Sequence, residues 1–397
     1  MGMYDVAIIG GGPSGLHAAS LLARKGLNVF VAEKKGEIGS DVICTGIVGK
    51  EIFQEFELGL DSVIREIRSA KLVSSSGNTI YYQHPSSFAC IVDRQKFDQV
   101  LAEDARRSGA EISLGTCVTD VSLDNNHVKV TAQTEGMSTK TISARMAILS
   151  TGIESRFNRK LGLGFPQDFL LGAQAEMEIV NGNSATIFFG KSVAPGAFAW
   201  AVPTSEGRLR VGLVTSREPR IWFENLIKKF FPEKIADFHL GQIRVKAIAQ
   251  GLVTKTFGER VIALGEAAGQ VKTTTGGGIY FGLLCSRIAS EVIHDCYKAG
   301  SFDSRSLAAY EKIWREAIQK EILIGHLARK IFSLFTDNQI EKLFELAKSD
   351  GILPLIQTNG NFDWQSGLIL ELAKKVPPLN TFSGIRKKIS FFENLLS

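Results

Sequence analysis

The run Gly10-Gly11-Gly12-Pro13-Ser14-Gly15 follows an apolar stretch, Tyr4 to Ile9, and precedes a helical pattern that reaches Leu22. A G-x-G-x-x-G turn in that position leaves a chain few choices. Its first glycine permits a tight turn and its second lets the backbone approach a pyrophosphate. Its third lets the helix pack closely, while the helix N-terminus faces the negative charge. The next strand, Asn28 to Ala32, leads into Glu33, a carboxylate that can accept both hydroxyls of a ribose. An acid there argues against a ribose 2′-phosphate. The chain therefore opens with a βαβ unit for a dinucleotide, FAD or NAD. Its candidate contacts are Gly10, Gly12, Pro13, Ser14, Gly15, Glu33 and the adjoining Lys34.

Beyond this unit the periodicity changes. Ala70 to Ser75 and Thr79 to Gln83 read as paired strands, and Arg94 to Ser108 as a helix. Strands near Glu111, Val118, Val128 and Thr141 fit an antiparallel meander, and Ala147-Ile148-Leu149 a buried strand running into Ser150-Thr151-Gly152. Ala173 to Ile179, Ala185 to Phe189, Phe198 to Val202 and Leu209 to Val214 repeat with period two, as a second, antiparallel sheet does. A helical stretch, Ile221 to Phe230, precedes the apolar strand Val261 to Leu264, a glycine-rich turn and helices to the end.

Composition closes off other classes. With 44% hydrophobic residues, 22% charged residues and 10 prolines, 397 residues can bury more than one core, which excludes disorder and collagen-like structure. A net charge of +5 gives no general footprint for nucleic acid. Cys44, Cys90, Cys117, Cys285 and Cys296 are odd in number and form no C-x-x-C pair, so a reducing, cytoplasmic setting without disulfides is expected. The histidines, at 17, 84, 127, 239, 294 and 326, show no metal-binding spacing, and no metal site is expected. His17, early in the first helix, reads as a satisfied or exposed helix residue.

A second strand-turn-helix carries Leu264-Gly265-Glu266-Ala267-Ala268-Gly269, with an acid and small residues at its mouth. Together with the first βαβ unit, the Val92-Asp93-Arg94-Gln95-Lys96-Phe97-Asp98 helix entry and Thr151-Gly152, it resembles the flavoprotein class that includes p-hydroxybenzoate hydroxylase. Val271 to Gly282, containing Gly276-Gly277-Gly278-Ile279, is similar to the segment beside the flavin ring in geranylgeranyl reductases. Ile43-Cys44-Thr45-Gly46 resembles the cysteine turn of that family, and Phe198-Ala199-Trp200-Ala201-Val202-Pro203 its substrate strand. The helix with Tyr310-Glu311-Lys312-Ile313-Trp314 resembles theirs as well. Glu266 stands where aspartate is usual, Thr273 where proline is common, and Phe198 and Val202 where tyrosine and phenylalanine are expected.

The resemblance implies an α/β fold, α+β overall. Residues 1–70, 90–165 and 258–300 would form a Rossmann-like FAD-binding domain, 71–89 and 166–257 an antiparallel-sheet substrate domain, and 301–397 a C-terminal helical region. It implies FAD as cofactor, with Cys44, Gly46, Arg94, Thr151, Gly152, Gly265, Glu266, Gly276, Gly277, Gly278 and Ile279 added to the cofactor contacts. Phe198, Trp200 and Pro203 would meet substrate, and Cys44 would donate a proton. The implied reaction is reduction of carbon–carbon double bonds in a polyprenyl lipid or isoprenoid chain, with NAD(P)H or a ferredoxin as electron donor. A flavin monooxygenase or halogenase of the same fold, and a membrane-surface flavoprotein that carries electrons or binds lipid, are the alternatives. Ile385 to Leu396 puts Ile385, Ile389, Phe392 and Leu396 on one helical face with Arg386 and Lys387 opposite, a pattern suited to peripheral contact with an anionic bilayer.

Overall fold

A computed structural model describes residues 2–134, 139–178, 184–205, 207–234, 240–349 and 352–375. The terminal pattern at 385–396 lies outside the described residues. The chain divides into two units. The first takes Met1–Arg65, Cys90–Phe169 and Ala247–Gln319, and the second takes Glu66–Ala89, Leu170–Lys246 and the chain from Lys320.

The first unit is built on a sheet in the order Glu111–Ser113, Val29–Ala32, Tyr4–Ile9, Thr139–Leu149, Val261–Ala263, Phe257–Gly258. All neighbours but the last pair run parallel. Parallel strands need helical crossovers and become covered on both faces, so they read as unbroken apolar runs. Ala7, Ile9, Phe30, Ala32, Ala147 and Leu149 pack with Val118, Val121, Val128 and Val130 of the neighbouring antiparallel hairpin. The alternate residues Val6, Ile8, Val29, Val31, Met146 and Ile148 are equally buried. Ile8 meets the helix Pro13–Arg24, which packs beside Arg94–Arg107 and Ile279–Ala299.

Two expectations change here. Glu111–Ser113 does not join the meander; it pairs in parallel with Val29–Ala32, because the helix Arg94–Arg107 carries the chain back across the sheet. Thr139–Leu149 is one strand rather than two. Ala144 pairs antiparallel with Val128 on one side and parallel with Tyr4 on the other, so the meander passes directly into the parallel sheet.

The second unit holds a seven-stranded sheet in the order Arg244–Gln250, Asp168–Glu178, Arg208–Thr215, Ala199–Ser205, Ala185–Phe188, Ser69–Val73, Thr79–Gln83. Its central strands are antiparallel, while Ala185–Phe188 and Ser69–Val73 run parallel. Ala173, Ala175, Val211 and Leu213 share a core with Phe223, Leu226 and Ile227 of the helix Pro219–Phe230. The described residues after 300 divide between the two units at Gln319 and Lys320. Leu307, Tyr310, Trp314 and Ile318 are fully buried in the first unit, and Phe335, Ile340 and Phe344 cluster with Ile80 in the second.

Of the two readings for His17, satisfied or exposed, the structure shows the first: the ring is buried and hydrogen-bonded. Its Nδ1 lies 2.5 Å from Ser286 Oγ, and its ring meets Phe56 edge to face. Burial pushes the imidazole down from 6.5 to about 4. The unfolded chain therefore binds this proton at a higher pH than the folded chain. The stabilisation is complete above about pH 6.5 and is lost as pH falls toward 4, by about 3 kcal/mol in total. Denaturant midpoints compared at neutral pH and near pH 4 should show this loss in the protein but not in His17→Gln, which keeps a hydrogen-bonding group that does not titrate.

Candidate active site

The first turn shows why each glycine is there. Gly10 has φ +108°, and a Cβ on it would stand 2.4 Å from the Ser150 carbonyl oxygen. A Cβ on Gly15 would stand 2.3 Å from the Gly10 carbonyl oxygen and 2.5 Å from Ser150 Oγ. Ser150 Oγ itself donates to the Gly10 carbonyl at 2.8 Å, so the end of Thr139–Leu149 is fastened to the turn. Gly12 differs: a Cβ there would meet nothing within 4 Å. It caps the helix Pro13–Arg24, with Pro13 in the first turn and no side chain accepting from the first N–H groups. Free space against uncapped helix N–H groups is a seat for an anion.

Glu33 is held in place by the same turn. One carboxylate oxygen accepts from the Gly11 N–H at 2.7 Å and the other from the Lys35 N–H at 2.9 Å. A carboxylate has further lone pairs, so both oxygens can still accept hydroxyls. Lys34 is exposed, and it is Lys35 whose backbone holds the acid. Sequence reasoning missed Gly11, Lys35 and Ser150, which act through backbone or packing contacts that no side-chain pattern announces.

Asp93 caps the helix Arg94–Arg107 by accepting from the Lys96 N–H. Arg94, one turn before Asp98, donates to its Oδ1 at 2.8 Å, with the two side chains 10% and 4% exposed. Burial alone would lower the Arg94 guanidinium. The negative Asp98 and the hydrogen-bonded Cys44 beside it outweigh burial and push it up. Burial raises Asp98 against the pull of Arg94 and Lys35, and the nearby Glu33 adds to the rise. Arg94 Nε is buried without a partner among the described residues. Cys44 is half-buried, and its Sγ accepts from the Gly46 N–H at 3.4 Å across a turn in which Gly46 has φ +76°. Glu33, Asp98, Arg94 and Cys44 thus share one neighbourhood.

The second motif closes on the first. A Cβ on Gly265 would lie 2.7 Å from Ser14 Oγ, and one on Gly282 would lie 2.2 Å from the same atom. Ser14 therefore sits between the Glu266 turn and the helix Ile279–Ala299. Gly152, at φ +64°, faces Glu266 Oε2, while Thr151 Oγ1 turns back to the Glu154 carbonyl. The Glu266 turn is braced from behind: Gln270 Oε1 accepts from the Gly265 N–H at 2.7 Å, Gln270 Nε2 donates to Tyr310 Oη, and Tyr310 Oη donates to the Ala263 carbonyl. This gives the Tyr310 helix a task. The Lys272 backbone pairs with both Gly276 and Gly277, closing a loop that delivers Gly276, Gly277, Gly278 and Ile279 to the start of Ile279–Ala299. Tyr280 Oη donates to Glu55, which also accepts from Arg287 at 2.9 Å, and the helix Glu51–Glu55 follows closely on the Cys44 turn. The helix Glu51–Glu55 and the start of Ile279–Ala299 are therefore tied together.

In the second unit Phe198 and Trp200 lie on one sheet face with ring centroids 6.0 Å apart. Trp200 lies over Gly212, where a Cβ would meet its indole at 2.3 Å. Pro203 pairs with Leu209, a member of the helix-packed core, so it belongs to the opposite face from Trp200. Alternation along a strand separates them. The structure thus brings Phe198 and Trp200 together and leaves Pro203 with the core.

The first unit could hold an extended dinucleotide: an open, uncapped helix N-terminus at Gly12, a pinned acid at Glu33, and a second glycine turn around Ser14. The comparisons agree. The FAD binding domain family matches residues 3–284. Digeranylgeranylglycerophospholipid reductase 2 of Methanothermobacter thermautotrophicus is 31% identical over 353 residues, covering 86% of this chain and 90% of the relative. A geranylgeranyl bacteriochlorophyll reductase-like protein from Thermoplasma acidophilum superposes with a TM-score of 0.83 at 23% identity, over 95% of this chain and 97% of that one. A flavin-dependent brominase shares the fold at a TM-score of 0.70 and 18% identity, over 94% of this chain and 98% of its own. Among the described residues no helix is long and apolar enough to cross a membrane. The dinucleotide is FAD, and the chain belongs to the geranylgeranyl reductase family of FAD-dependent oxidoreductases.

Proposed function

We propose that this protein reduces carbon–carbon double bonds in the polyprenyl chain of a lipid. The observation that carries the reading is the 31% identity, over most of both chains, to a protein named digeranylgeranylglycerophospholipid reductase. FAD, when bound and reduced by a donor such as NAD(P)H or a ferredoxin, would supply hydride for one alkene carbon. The chain's residues would supply the rest. Gly10, Gly12, Pro13, Ser14 and Gly15 would hold the pyrophosphate, Glu33 would take the ribose hydroxyls, and Gly152, Gly265, Glu266 and Gly276 to Ile279 would hold the flavin half of the cofactor. Phe198 and Trp200 offer the prenyl chain an apolar, aromatic surface that excludes water.

Saturation also needs a proton on the second carbon, and Cys44 is the group for it. A thiol that gives up its proton leaves a thiolate, and the hydrogen-bonded Arg94 guanidinium stabilises that charge. With dithionite-reduced enzyme and oxygen excluded, a geranylgeranyl-containing glycerophospholipid should reoxidise the flavin and gain two hydrogens for each double bond lost. Cys44→Ala should slow this step by about 100-fold while FAD stays bound. An undiminished rate would reduce Cys44 to a packing residue. No reduction of any polyprenyl lipid, with hydroxylated or halogenated product appearing when oxygen is admitted, would replace the reductase reading by the monooxygenase one.

A further inference from the structure

Lys272 folds its side chain over the triple-glycine turn. A Cβ on Gly277 would stand 3.0 Å from its Cε and 3.6 Å from its Nζ. The loop sets this course: the Lys272 N–H donates to the Gly277 carbonyl at 2.9 Å, and the Lys272 carbonyl accepts from the Gly276 N–H at 2.8 Å. Lys272 is 7% exposed, whereas lysine ordinarily carries its ammonium out to water on a flexible stem. The residues that follow, Gly276 to Ile279, are only half-buried. The turn thus keeps a positive charge inside and remains partly open itself. The helix Ile279–Ala299 begins at the same place, with Gly278 as its cap, no side chain accepting from its first N–H groups and no acid in its first turn. Ammonium and helix N-terminus therefore act with the same sign.

Such a charge favours a ligand that becomes negative beside it. FAD is one: two electrons and one proton turn its neutral ring system into an anion, with the charge shared between N1 and the C2 carbonyl. A nearby positive group stabilises that anion over the neutral oxidised ring, and charge near the ring is one means by which a protein tunes a flavin. We propose that Lys272 stabilises the reduced, anionic flavin and so raises its reduction potential, which eases loading by the electron donor. This rests on Gly276 to Ile279 holding the flavin half of the cofactor. Lys272 exchanges no proton in this role; the hydride passes from donor to ring to alkene, and the second carbon takes its proton from another group.

The test uses FAD-loaded protein without lipid and reads a potential rather than turnover, so either it or the reductase reading can fail while the other stands. Lys272→Gln removes the charge and keeps a hydrogen-bonding group. The midpoint potential of its bound FAD, measured against reference dyes, should fall by about 30 mV, a tenfold loss of preference for the reduced over the oxidised flavin. Sulfite, which adds to N5 and leaves the same negative charge at N1, should bind the variant about tenfold more weakly. Lys272→Arg keeps the charge, and its sulfite affinity should stay within about twofold of the parent's. Unchanged potential and sulfite affinity in Lys272→Gln would overturn the proposal. Equal weakening of oxidised and reduced FAD would overturn it too, as the mark of a residue that only shapes the turn. Should Lys272→Gln not fold, the same measurements on Lys272→Met give the same decision.

Discussion

Gly12→Val should abolish FAD binding and leave the fold intact, and this is the largest effect expected of any single substitution at the turn. A Cβ on Gly12 meets no atom beyond its chain neighbours within 4 Å, so a side chain there enters open space at the helix N-terminus without disturbing the fold. It would stand against the uncapped N–H groups of Pro13–Arg24 and keep a pyrophosphate from them. Each hydrogen bond to a charged group contributes about 1.5–3 kcal/mol, so losing two reduces affinity by about 100-fold or more. Purified Gly12→Val should be colourless, take up no added FAD, and melt where the cofactor-stripped protein melts. Gly15→Ala is the contrasting substitution. Its Cβ would stand 2.3 Å from a backbone oxygen, so the turn or the helix must shift, at a cost of about 1–3 kcal/mol to the fold itself. A Gly12→Val protein that still binds FAD within about tenfold would move the pyrophosphate elsewhere.

The second large effect belongs to Arg94. Replacing it by methionine leaves Asp98, 3% exposed, as a buried carboxylate without its cation. Breaking a buried pair by removing one partner costs about 3–5 kcal/mol. The double variant Arg94→Met/Asp98→Leu removes both charges and should regain most of that stability, since apolar replacement of a buried pair is often neutral. It should not regain function. Arg94 also meets Cys44, so the double variant should still bind FAD more weakly and still react slowly with lipid under anaerobic conditions. Denaturation curves separate the structural part, and FAD titration the part that concerns the site. A double variant with full stability and full activity would make Arg94 a structural cation only.

The first 33 residues were legible as they stand, because strand, glycine turn, helix and acid are local and each has a physical reason that a sequence displays. Tyr4–Ile9 appears as an unbroken apolar run since both faces of a parallel strand are covered, and the turn must be glycine where φ is positive or where Ser150 leaves no room. The strand that carries Phe198 and Trp200 could be read from its alternation, but the two aromatics were singled out only by the family resemblance. What the sequence could not display is which distant segments meet. Glu111–Ser113 joins the parallel sheet only because a crossover helix returns the chain there, and Pro203 falls on the core face because alternation places it opposite Trp200. Local backbone demands are written residue by residue, whereas burial and partnership depend on contacts between residues far apart in the chain, and only the tertiary structure decides those.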